Sequence, residues 1–266
     1  MFYTFFTSVS KYTSQLQRAI LFITMALSLS HGTNLLAEGK KILYIGDSIT
    51  DGNWGGCGSS SDRNLFDMNH IFGHGYMFIC AAYYMSEFPE KNYSFYNRGI
   101  SGNTLVDLEK RWEKDVLEIH PDVLSVLIGI NDVHSYLESG ESKEFDFESW
   151  EKIYRSLLDR AITENPHLQL VLGTPFVFQT GSMKENPKFD KALEMVLKLK
   201  SRVEKIAIDY NAVCLPYFNL FEQLIHESKS LSDTYWIWDG IHPTPAGHHR
   251  MAKIWMESVD SKHLLD

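Results

Sequence analysis

The chain has 266 residues, 44% of them hydrophobic and 13% aromatic, which is enough for one large domain with a packed core. Twenty-five Lys and Arg against 34 Asp and Glu give a net charge of −9. No basic run follows the first forty residues, so the composition argues against nucleic acid as a partner and otherwise speaks only to solubility.

In chain order, the first feature is a targeting pattern. Lys11 and Arg18 precede an apolar run, "AILFITMALSLS" (19–30), with no acidic residue before Glu38. A run of about a dozen apolar residues suits a signal-peptide core and is too short to span a bilayer. The expectation is a signal peptide over 1–37, with Ala37 at the cleavage position. That leaves a domain over 38–266, secreted or periplasmic and not inserted in a membrane. Three cysteines do not make a disulfide framework. Cys80 and Cys214 sit among apolar residues and read as buried fillers, while Cys57 lies in the polar stretch "GGCGSS".

The rest alternates short apolar runs with longer helical patterns. The runs are 41–46, 93–99, 122–129, 168–174 and 212–217. Helical patterns fill 76–88, 104–119, 147–165, 187–211 and 245–259. In the second of these, Leu105, Leu108, Trp112, Val116 and Ile119 recur at three- and four-residue steps. Continuous apolar strands alternating with helices predict an α/β domain whose parallel sheet is covered on both faces. In such sheets the ligand site lies beyond the carboxyl ends of the strands. Chemistry is therefore expected just after residues 46, 98, 129, 174 and 217. Two long irregular stretches, 52–75 and 227–244, are the size of functional loops.

Four polar clusters fall at that rim or on the loop returning to it. Ser48, in "GDSIT", follows the first run directly and can be a nucleophile or a helix N-cap. Gly102, in "SGNT", offers an unobstructed backbone N–H or simply makes a turn. Asn131, in "GIND", offers an amide donor or an Asn-Asp turn. Asp239 and His242, in "DGIHP", are three apart, so the carboxylate can orient the imidazole; alternatively they belong to the turn that starts a helix. Jointly they supply a nucleophile, oxyanion donors, a base and its orienter. His70 and His74 are spaced like metal ligands, but no third ligand accompanies them, so neither a metal nor another cofactor is expected.

"GDSIT", "SGNT", "GIND" and "DGIHP" resemble, in order and spacing, the four blocks of the SGNH hydrolases, the GDSL esterase/lipase family. The resemblance covers 40–259. It implies a flavodoxin-like three-layer α/β/α fold with strand order 2-1-3-4-5. It also implies Ser48 as nucleophile, His242 as base and Asp239 as orienter. The oxyanion hole would comprise the Ser48 and Gly102 N–H groups and the Asn131 side chain. The implied activity is ester hydrolysis through an acyl-enzyme. Trp54, Phe176, Gln179, Trp236 and Trp238 are the candidate substrate contacts, and with no long apolar lid they tilt the reading toward a sugar carrying a small acyl group, acetyl being favoured. The alternatives are a lysophospholipase or thioesterase with the same triad, acyl transfer to a sugar in place of water, and a secreted carbohydrate-binding protein without turnover.

Overall fold

The computed structural model describes residues 39–52, 72–141 and 143–266. The signal-peptide expectation, Trp54, Cys57 and His70 lie outside the described residues. Five parallel strands form one sheet: β1 (Lys41–Gly46), β2 (Ser94–Gly99), β3 (Val123–Leu127), β4 (Gln169–Gly173) and β5 (Val213–Leu215). Their order is β2-β1-β3-β4-β5, with all neighbours parallel. The register places Gly46 beside Gly99 and Leu127, Leu127 beside Gly173, and Gly173 beside Leu215. The strands therefore end on one line, and the segments that follow them start from a single rim.

The helices are α1 (Ser48–Asp51), α2 (Tyr76–Glu87), α3 (Leu105–Asp115), α4 (Ile130–Glu138), α5 (Phe147–Glu164), α6 (Phe189–Asp209), α7 (Tyr217–Glu227) and α8 (Pro245–Ser261). The two-residue period of a strand decides which layer each side chain joins. Tyr44 of β1 meets Tyr76 of α2 at 5.7 Å between ring centroids and Trp255 of α8 at 5.0 Å. On the same face, Trp255 Nε1 donates to Ser125 Oγ of β3 at 3.1 Å. One residue on, Val126 turns to the opposite face and packs among Leu105, Leu108 and Trp112 of α3 and Tyr154, Leu157 and Leu158 of α5. Helix, sheet and helix thus form three layers. Ile42, Leu43, Tyr44 and Ile45 are wholly buried between them. Each fully buried side chain of this size stabilises by about 1.5–3 kcal/mol.

The helix over 104–119 is shorter than its apolar period. Leu105, Leu108 and Trp112 are buried as that period requires, but α3 stops at Asp115 and a 3₁₀ turn carries Leu117–Ile119. Its start is a capping box: the Thr104 hydroxyl accepts from Asp107 N–H, and the Asp107 carboxylate accepts from Thr104 N–H at 3.0 Å. Two helices were not anticipated. α4 begins at the Asn-Asp pair that reads as a turn, because Gly129 at φ 132° redirects the chain straight into a helix. α7 follows β5 after one residue, and Tyr217, Phe218, Phe221 and Leu224 form its buried stripe. Cys80 is buried, but Cys214 is only partly so, since β5 is the three-residue edge strand.

Candidate active site

The rim gathers the predicted residues through specific local devices. After β1 the chain turns into α1, whose N-cap is Asp47 and not Ser48. Asp47 Oδ1 accepts from Ile49 N–H at 3.0 Å. Ser48 is thereby the first helical residue, and its hydroxyl is not consumed in capping. Ser48 Oγ lies 2.7 Å from His242 Nε2 across 194 positions of sequence.

His242 sits on a narrow ribbon. Ile237 bridges Pro243, Trp238 N–H donates to the His242 carbonyl at 3.0 Å, and Thr244 N–H donates to the Trp236 carbonyl at 2.9 Å. At its tip, Asp239 Oδ1 accepts from Ile241 and His242 N–H at 3.0 and 2.7 Å, and Asp239 Oδ2 lies 2.6 Å from His242 Nδ1. Gly240 allows this turn: φ is 95°, and a Cβ there would stand 2.4 Å from Met183 Cβ. Burial pushes the Asp239 carboxyl up, but the bonds from the His242 ring and the two N–H groups outweigh it and hold it below its ordinary value. The bond to Asp239 is in turn the chief reason that His242 is raised above 6.5; burial works against it, and the charges of Asp239 and then Asp47 add to it.

The other two blocks are tied to this centre. Asn131 Nδ2 donates to the Asn103 carbonyl at 3.1 Å, joining "GIND" to "SGNT". Gly102 has φ 81°, with open space where a side chain would stand. Ile100 N–H donates to the Gly46 carbonyl at 3.0 Å, and Ser101 Oγ donates to Asp51 Oδ2 at 2.6 Å, which fastens the Gly102 loop to α1.

Several supporting residues escaped the sequence reading. Arg111 donates to Asn103 Oδ1, the Arg98 carbonyl, Asp115 Oδ2 and the Gly46 carbonyl, so one guanidinium clamps the ends of β1 and β2 to the Gly102 loop. Asp132 accepts from Leu105 N–H at 3.1 and 3.2 Å and from Trp150 Nε1 at 3.0 Å, holding the Asn131 turn against the start of α3. Burial pushes its carboxyl up to about 6. The only local signal for either was a charge placed on or beside an otherwise apolar helix face.

Asp47 is the most costly of these residues. It is buried, Oδ2 has no hydrogen-bond partner among the described residues, and burial raises its carboxyl to about 7, only partly opposed by the Ile49 N–H bond and the nearby His242 charge. An acid raised in the folded state loses stability as pH climbs from 3.8 towards 7 and recovers none above. Asp47→Asn keeps the Oδ1 cap without that ionisation. Its stability relative to wild type, from denaturant titrations at pH 5 and pH 8, is expected to be better at pH 8 by on the order of 2–4 kcal/mol. Parallel profiles would refute the assignment.

A cavity of about 480 Å³ opens beside Ser48 and is lined by Ser48, Gly52, His74, Trp238, His242, Pro243, Pro245 and His248. Trp238 is 57% exposed and lies over the His242 ring, 6.0 Å between centroids and 23° from parallel. The remaining substrate candidates are placed otherwise. Phe176 is fully buried against Phe221, 4.9 Å between centroids, because the segment after β4 passes beneath the ribbon and supports it. There, Phe178 N–H donates to the Gly240 carbonyl at 2.8 Å, and Thr180 Oγ1 donates to the Ile237 carbonyl at 2.9 Å. Gln179 is exposed, with Nε2 3.4 Å from the Lys184 carbonyl, and does not line the cavity. Trp236 is partly buried and packs edge-on against Tyr235.

A serine hydroxyl aligned on a carboxylate-braced imidazole, at the carboxyl rim of a doubly wound sheet, is the arrangement of a serine acyl hydrolase. Residues 44–250 match the profile of the GDSL-like Lipase/Acylhydrolase family, and the chain belongs to that family of carboxylic ester hydrolases. It is 30% identical over 227 residues to an acetylxylan esterase of Geobacillus stearothermophilus, covering 84% of this chain and 95% of that one. A solved structure of a variant of that esterase superposes with a TM-score of 0.67. Further variants, substituted at a serine, an aspartate and a histidine, are described as catalytic mutants; the last two positions lie three apart. A GDSL-like lipase structure from Parabacteroides merdae is 32% identical, with a TM-score of 0.72 and coverage of 84% and 96%. Among the described residues, no helix is long and apolar enough to cross a membrane.

Proposed function

We propose that this protein is a serine esterase that removes small acyl groups, acetyl above all, from carbohydrate hydroxyls. The observation that carries the reading is the continuous chain Ser48 Oγ, His242 Nε2, His242 Nδ1, Asp239 Oδ2, with links of 2.7 and 2.6 Å. The likeness to an acetylxylan esterase supports the acetyl-sugar part, as does the exposed Trp238 face, which suits a sugar ring.

In this scheme neutral His242 takes the Ser48 proton at Nε2 while Oγ bonds to the ester carbonyl carbon. The oxyanion forms against the N–H groups of Ser48 and Gly102 and the Asn131 amide. When the tetrahedral adduct collapses, the carbon–oxygen bond to the alcohol breaks and His242 returns the proton to the leaving oxygen. Water then gives a proton to His242 and attacks the acyl carbon; the bond to Oγ breaks, His242 returns the proton to Ser48 Oγ, and the carboxylic acid leaves. Asn131→Ala is expected to lower kcat on p-nitrophenyl acetate by about 10²–10³ with little change in KM. A loss confined to KM would remove Asn131 from the oxyanion site.

The test of substrate class is acetate release from acetylated xylo-oligosaccharides beside hydrolysis of p-nitrophenyl esters of two and twelve carbons. Acetate release with a preference for the short ester supports the proposal. A preference for the long ester, with no acetate released from the sugar, would turn the reading to a lipid or thioester hydrolase. The amino-terminal segment adds export to the proposal, checked by sequencing the amino terminus of protein recovered outside the cytoplasm.

A further inference from the structure

Besides His242, the cavity is lined by two imidazoles that the reaction scheme leaves unused, His74 and His248, and the surroundings of His248 fix its role. His248 stands in the first turn of α8, six residues beyond His242. Its Nδ1 accepts the backbone N–H of Tyr76 at 3.1 Å, and its ring lies parallel to that of Tyr76, 9° apart at 6.4 Å. An imidazole that accepts at Nδ1 carries its single proton at Nε2. No hydrogen bond to Nε2 forms among the described residues, while the side chain lines the cavity. Burial, assisted by the His242 charge, lowers the His248 pKa to about 4, so this ring stays neutral while His242 is raised. His242 and His248 are thus driven apart: the first cycles a proton and the second is a fixed donor.

The position of the cavity shows what this donor meets. His242 delivers its proton to the leaving oxygen, so the leaving alcohol must lie on the His242 side of Ser48. The cavity is on that side: its walls run from Ser48 past His242 to Trp238, Pro243, Pro245 and His248, Gly52 and His74 complete them, and neither Gly102 nor Asn131 lines it. We propose that His248 determines specificity for the alcohol half of the ester, its Nε2–H donating to a hydroxyl or ring oxygen of a polyhydroxylated leaving group that rests on Trp238. A sugar presents an apolar ring face and a polar edge, and Trp238 and His248 offer one partner for each. This assignment rests on the esterase reading but not on the alcohol being a xylan.

The test uses His248→Asn, whose Oδ1 takes the place of Nδ1 and keeps the Tyr76 N–H partner while removing the Nε2 donor. His248→Gln instead returns an amide N–H near the Nε2 position. Acetylated xylo-oligosaccharide and glycerol monoacetate, whose leaving groups carry hydroxyls, are compared with p-nitrophenyl acetate, whose leaving group carries none. In His248→Asn the ratio of kcat/KM on the hydroxylated esters to that on p-nitrophenyl acetate is expected to fall by about tenfold. The fall is carried by KM and partly restored in His248→Gln. An unchanged ratio in a variant with wild-type melting temperature overturns the assignment, as does an equal fall on all substrates. Wild-type cleavage of glycerol monoacetate without action on the acetylated sugar would sink the carbohydrate reading and leave the His248 comparison intact. Failure of wild type on both hydroxylated esters, with p-nitrophenyl acetate cleaved, sinks the His248 assignment.

Discussion

Ser48→Ala is expected to abolish ester hydrolysis, lowering kcat on p-nitrophenyl acetate by at least about 10⁴-fold, with no acyl-enzyme trapped in a denaturing quench. The size of the effect follows from the chemistry. Without Oγ there is no nucleophile to divide the reaction into two steps, and only the oxyanion donors and binding remain. The fold should be unaffected, because Ser48 does not cap α1; Asp47 does. Melting at the wild-type temperature with loss of turnover is the expected pair of results. Retention of more than a few per cent of wild-type rate would eliminate Ser48 as nucleophile.

Asp239→Asn is the second large expectation, with kcat reduced by about 10⁴-fold. An amide at this place removes the acceptor for His242 Nδ1–H, so the imidazole loses both its tautomer and the partner that stabilises its charged form. The pH profile gives an independent readout. In wild type the base is active only when neutral, and its pKa is raised above 6.5 chiefly by the bond to Asp239. Activity should therefore be lost as pH falls through a value above 6.5. In Asp239→Asn that principal cause is gone, so the residual activity should persist to lower pH. A limb that stays in place would show that another group is titrating. The Asp47 charge adds a smaller upward push on His242, so Asp47→Asn should move the limb in the same direction by less.

Much of the fold is legible in the sequence because its signals are local. "KILYIG" is apolar at nearly every step, and a strand of that kind must be covered on both faces. The step-of-three-and-four pattern of Leu105, Leu108 and Trp112 names the stripe that α3 buries. Residues following strand ends in a parallel sheet share one rim, so Ser48, Gly102 and Asn131 could be placed together from strand positions alone. Phe176 shows the limit of the same rule: it follows β4 as the rule requires, yet its side chain turns into the core beside Phe221. A position after a strand does not say which way a side chain points. The short helix α4 was hidden because Asn131 and Asp132 have turn propensities that a single glycine overrides.

The class of sheet, the buried face of its long helices, and the polar clusters at its carboxyl edge are all legible in the order of residues alone. Those properties follow from continuous apolar runs, from a 3.6-residue period and from where the runs end, all of which a short window contains. Tertiary packing alone sets that Asp47, not Ser48, caps α1, that Arg111 clamps two strand ends, that Phe176 turns into the core, and that His248 lines the cavity with Trp238. These facts depend on how separate elements dock, and His248 meets Tyr76 across 172 positions. No local pattern carries such a distance; packing of the helices on the sheet sets it.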